Sequence, residues 1–251
     1  MLREVAEGRG WLGCLTARGK QQRFDLRAVR RYPPISGTDN TVRLSDLLSN
    51  SNPSCTNIIY HLDWFDRRYL GLCLASTILQ LYDTPWLHLS WSGNDVYFVR
   101  ERGQQRVPLI KQPFVSRAFA SQRKLSTSYK PVSHCTCPLI RNKTVFDLGV
   151  LLIELCFRKS FKSLQAPEDE VKGMPAVFTD FITATRMIER VRNKAGASWG
   201  DAVRRCIYCE FDQSNTSLEN ENFRQAVYQG VVKPLENDLR HYCGGELPDE
   251  N

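Results

Sequence analysis

Long apolar runs are what this sequence most plainly lacks. The longest, Leu148–Phe157, is about ten residues and contains Glu154, whereas a bilayer-spanning helix needs roughly twenty. Met1–Arg31 has no apolar core of the kind a secretory leader carries, and it is rich in Arg and Lys. Histidine is scarce. The four present (His61, His88, His134, His241) show no pairing with a cysteine nucleophile and an orienting group, which argues against that catalysis. The nine cysteines are an odd number in a chain too long for a disulfide-stapled miniature, and Cys73, Cys156 and Cys206 sit in apolar stretches. Reduced, buried thiols in a cytoplasmic protein are the expectation.

What is present is helical periodicity. Tyr69–Tyr82 repeats Leu70, Leu74, Ile78 and Leu81 at three- and four-residue spacing. It should stop near Asp83-Thr84-Pro85, because proline restricts the residue before it. Val145–Phe157 is apolar nearly all round and should be buried. Val177–Val191, Ala202–Cys209 and Asn222–Leu239 follow, with Pro234 expected to bend or divide the last. Asp95–Arg100 alternates as a short strand. Thr41–Leu48 reads as a short amphipathic helix opening at Ser45, and Gly103–Arg141 as a long loop. Met1–Ser54 is loosely patterned and does not read as an intact multi-stranded sheet. The expected organisation is a poorly patterned segment 1–54, an N-lobe remnant at most, a helical domain 55–243 and a disordered acidic tail 244–251.

Charge is unevenly spread. Arg100–Lys143 holds ten Lys/Arg against Glu101 alone, more than the whole chain's net +7. Such a block attracts acidic or phosphorylated partners. Arg117, Arg123, Lys124 and Lys130 are the partner-binding candidates. Ser121, Ser126, Thr127 and Ser128 lie beside them and are candidate phosphorylation sites that would order the loop by pairing with these cations. Aromatics in the block are few (Phe114, Phe119, Tyr129), which argues against a stacking platform for nucleic acid. A zinc site is a weak alternative, with Cys135, Cys137, Cys206 and Cys209 as candidates beside His134. Cys-x-Cys is tighter than common zinc spacing.

The order of buried helix, short strand, basic loop and buried helix resembles the C-terminal lobe of a protein kinase. His88-Leu89-Ser90-Trp91-Ser92-Gly93-Asn94-Asp95 has the length of the H-R-D-x-x-x-x-N catalytic loop. Val145–Leu155 is similar to the central buried kinase helix, Lys130-Pro131-Val132 stands where A-P-E would end the activation segment, and Arg204 or Arg205 stands near the late arginine that pairs with it. Leu74–Leu87, Gly149–Leu155, Ala202–Phe211 and Val231–Leu239 resemble an uncharacterised fungal domain family found with heterokaryon-incompatibility and prion-type signalling proteins. Its members carry a helical N-terminal region, a candidate partner missing from this chain. The resemblance implies a mainly α fold: a kinase-like helical lobe with a short β-ribbon and a reduced or missing N-lobe.

It also implies degenerate chemistry. Ser90 stands where the catalytic base should be, and Asp95 replaces the metal-binding asparagine. No D-F-G follows the loop, Met1–His61 is read as holding no G-x-G-x-x-G, with Gly8-Arg9-Gly10 and Gly13 too poorly placed to count, and the V-A-I-K lysine is absent. The expectation is a non-enzymatic interaction module without cofactor. An atypical phosphotransferase using Asp95, with Asp147 as substitute base, is the alternative.

Overall fold

The structure is a computed structural model, and it describes residues 11–16, 23–27, 41–49, 60–82, 84, 86–87, 90–100, 108–115 and 137–244. The chain divides into two compact units, Met1–Asn40 and Thr41–Asn251. In the first, β1 (Trp11–Thr16) pairs antiparallel with β2 (Arg23–Arg27), and the register shifts between Trp11 and Gly13.

The second unit is mainly helical. It opens with β3 (Thr41–Arg43), which runs straight into α1 (Leu44–Leu48). β3 pairs with β4 (Val96–Val99), and β4 with β5 (Phe114–Val115), all antiparallel. β4 alternates as its sequence requires: Val96 and Phe98 are buried, while Tyr97 stacks with Phe114 on the other face, 5.7 Å between centroids.

Among the described residues, seven further helices follow. α2 (Trp64–Leu81) begins five residues before its leucine periodicity. Its first turn is held by polar groups instead. Asp63 and Asp66 form a capping box, each carboxylate accepting the other's backbone N–H at 2.8 and 3.2 Å. Arg67 donates Nε to the Asp63 carbonyl and Nη1 to the Cys156 carbonyl (2.9 and 3.2 Å). α3 (Lys143–Phe157) is the buried axis, with Leu148, Leu151, Leu152, Ile153 and Leu155 at most 1 % exposed. α4 (Phe161–Leu164) and a 3₁₀ turn (Pro167–Asp169) lead to α5 (Ala176–Ala195), and Gly196 joins it to α6 (Ala197–Tyr208).

Two close approaches, one of α2 to α6 and one of α3 to α6, lock these helices together. A Cβ at Gly71 would lie 2.7 Å from the Trp199 ring, and one at Gly149 would lie 2.9 Å from the Cys206 Cβ. Trp199 is fully buried and donates its indole N–H to the Leu152 carbonyl at 3.3 Å. α6 thus starts before the expected Ala202 because Trp199 is a core residue.

The expected last helix is divided at its proline. α7 (Glu221–Val227) passes through a π turn (Tyr228–Val232) into α8 (Lys233–Tyr242), whose first turn contains Pro234. Proline has no N–H for the helical ladder, and the wider π turn absorbs the break, with Lys233 N–H donating to the Tyr228 carbonyl. Two expectations change. Within the expected helix Thr41–Leu48, Thr41–Arg43 is strand because Val42 pairs with Phe98, and the helix itself opens at Leu44. The expected loop 103–141 contains β5 and a bridge from Pro108 to Arg100.

Candidate functional site

Described residues of the expected catalytic loop sit between α1 and the start of α3. Trp91, 3 % exposed, pins the loop by donating its indole N–H to the Thr144 carbonyl in the first turn of α3 (3.2 Å). The loop then turns sharply. Asp95 accepts the Ser92 N–H at 2.8 Å and the Ser92 hydroxyl at 3.3 Å, and its own N–H donates to the Ser92 carbonyl at 3.0 Å. Asn94 N–H donates to Ser92 Oγ. The Gly93 carbonyl accepts the Ser45 N–H at 3.0 Å, docking the turn on α1. Asp95 is therefore a turn-closing carboxylate. Ser90 is exposed at the loop's start.

Asp147 lies one turn into α3 and is 7 % exposed. Its Oδ1 pairs with Lys143 Nζ, while Oδ2 is buried with no partner among the described residues. Burial pushes its pKa up to about 6. Lys143 opposes the rise, and the charges of Asp180 and Asp95 add to it. Beside it, Asn142 caps α3 through the Val145 N–H (2.9 Å) and donates to the Thr216 carbonyl (2.7 Å). Arg141 donates to the Gln213 carbonyl (3.3 Å). An open polar groove of about 730 Å³ runs between 141–144 and 214–217.

His88 and the candidates Arg117, Ser121, Arg123, Lys124, Ser126, Thr127, Ser128 and Lys130 lie outside the described residues, as do His134 and Cys135. Cys206 is fully buried against α3, and burial pushes its thiol far up. Cys209 is pushed up to about 11, also by burial, and Cys137 is 2 % exposed. A cysteine that ligates zinc must be a thiolate, and among the described residues no three His, Cys, Asp or Glu side chains gather to hold a metal. Arg204 pairs with Glu210, and Arg205 donates to the Glu210 carbonyl at 3.2 Å.

The chain matches the family described as Domain of unknown function (DUF7580) over residues 16–242 of 251. The protein belongs to this family. No curated protein and no solved structure matches it. Among the described residues of this DUF7580 domain, no helix is long and apolar enough to cross a membrane.

Two groups of residues escape the sequence reading. Gly8, Gly10 and Gly13 do have G-x-G-x-x-G spacing. Gly13 lies in β1 of a hairpin, while Gly8 and Gly10 lie outside the described residues. The spacing itself was the signal. β2 reads Arg23-Phe24-Asp25-Leu26-Arg27 and holds no lysine. The second group is a basic cluster at the far end of α3, signalled only by the run Arg158-Lys159-Ser160 that follows the helix.

Proposed function

We propose that this DUF7580 domain is a catalytically inactive, kinase-like helical lobe that serves as an interaction module in fungal cytoplasmic signalling, binding an acidic or phosphorylated protein partner. One observation carries the reading. Asp95, the remaining carboxylate of the expected catalytic loop, has an oxygen engaged by Ser92 N–H and Oγ within its own turn. Ser90 has no basicity near neutral pH, so it cannot accept the proton of a substrate hydroxyl. The basic block with Arg123 and Lys124 is the proposed docking segment. Reversing both charges should weaken capture of a partner in a pull-down, and unchanged capture would remove the segment from the account.

A nucleotide-using phosphotransferase is the second reading. It is favoured by the G-x-G-x-x-G spacing ahead of a β-hairpin and by a buried Asp147 with a pKa of about 6. Thermal shift with ATP, with and without Mg²⁺, separates the two. The inactive reading expects no Mg²⁺-dependent shift. A shift that needs Mg²⁺ and disappears in Asp95→Ala would establish the second reading in its place.

A further inference from the structure

The C-terminal end of α3 opens on a pocket of about 520 Å³ that brings together Arg67, Arg158, Lys159 and Lys194 with Ser160 and Ser163. These residues come from α2, from the connection between α3 and α4, from α4 and from α5. No carboxylate side chain is among the lining residues. Seven ion pairs form among the described residues, and none uses these four cations. Arg67 is 7 % exposed. Burial pushes it below the usual arginine range, the charges of Arg158 and Arg68 act in the same direction, and Asp63 opposes them. Arg158 meets the His61 Nδ1 ring nitrogen. Four like charges are thus held together around a pocket whose described lining holds no carboxylate, one of them largely out of water.

The protein's own compensation is small. The C-terminal ends of α3 and α5 each offer about half a negative charge, and Asp63 acts on Arg67, so the cluster stays net positive. Two aromatic walls do not alter this. Arg67 covers a face of Trp64 at 3.7 Å, and Lys194 lies over Phe157 at 4.7 Å, so these ring faces carry cations instead of lying open to a base. Arg158 adds a further observation. It caps α3 with φ 53°, in the left-handed region where glycine sits without steric cost, and the chain keeps an arginine there.

We propose that this pocket binds a compact phosphate-bearing polyanion, with Arg67 as its buried cation and Arg158, Lys159 and Lys194 completing the cradle. The volume is that of a small-molecule site, and serine hydroxyls beside cations suit phosphate oxygens. The site lies outside the Arg100–Lys143 block and does not depend on whether the Ser90–Asp95 loop is inactive.

The test is calorimetric titration of the full chain with tripolyphosphate at about 0.15 M salt, without Mg²⁺, where diffuse surface attraction is screened. Saturable one-to-one binding is expected, with orthophosphate weaker. Arg158→Gly should melt no lower than the native chain yet bind at least about tenfold more weakly, a loss of roughly one charge-assisted contact. Lys194→Ala should weaken binding similarly, and Lys233→Ala, whose cation pairs with Glu236 elsewhere, should not. Absence of saturable binding, full affinity in Arg158→Gly, or equal weakening by Lys233→Ala would overturn the proposal. A phosphoserine peptide that outcompetes tripolyphosphate would overturn the small-molecule assignment.

Discussion

One helix, α3, has two unlike ends. At its N-terminus most polar groups are consumed locally, Asp147 Oδ2 excepted. Trp91 bonds to the Thr144 carbonyl, Asn142 caps the helix, Lys143 pairs with Asp147, and Asp95 closes a turn with Ser92. At its C-terminus four cations gather around a pocket whose described lining holds no carboxylate. The comparison separates resemblance from capacity. The end that looks like a catalytic loop has committed most of its hydrogen-bonding groups to holding its own shape, whereas the end without any familiar motif gathers an excess of positive charge.

The largest effect that would sharpen this contrast is expected at the N-terminal end. Trp91→Ala removes a buried ring and an indole hydrogen bond, and should cost about 3 kcal/mol in chemical unfolding. A loss below about 1 kcal/mol would mean that the loop is not pinned to α3.

Next comes the last turn of the helix. Glu154 accepts the Phe161 N–H at 2.7 Å, yet burial raises its pKa to about 7 from the ordinary 4.5. A raised carboxylate pKa means that the folded state binds the proton more tightly. Stability is therefore greatest below about pH 4.5 for this group and falls as pH rises through 7. Glu154→Gln keeps the acceptor oxygen and removes the charge. It should gain about 2 kcal/mol at pH 8 relative to the native chain and flatten the decline between pH 5 and 8. An unchanged pH profile would contradict it.

Asp95→Ala should cost about 1 kcal/mol, the scale of the turn's hydrogen bonds, and Asp95→Asn should recover most of it by retaining the acceptor. The smallest effect is expected at the C-terminal end. Arg158→Gly should leave stability unchanged or raise it by up to about 1 kcal/mol, because glycine relieves the left-handed backbone. Destabilisation there would make Arg158 a structural residue.

How much of this was readable beforehand follows from where the information sits. The interior of α2 and the whole burial of α3 were legible, since apolar spacing records packing directly. The start of α2 was not. Asp63, Asp66 and Arg67 hold that turn through capping and a bond to a carbonyl 89 residues away, which periodicity does not register. Pro234 announced a break, and the π turn is the form the break took. The role of Asp95 as a turn residue was legible from its type. The basic pocket was not, because Arg67, Arg158 and Lys194 are far apart in sequence and meet only once α2, α3 and α5 are packed.

The most direct test of the two-ended account is one tripolyphosphate titration repeated on three chains. The account predicts native affinity in Asp95→Ala and at least about a tenfold loss in Arg158→Gly, with both proteins folded. Binding that survives Arg158→Gly but is lost in Asp95→Ala would place the ligand at the opposite end of α3 and contradict it.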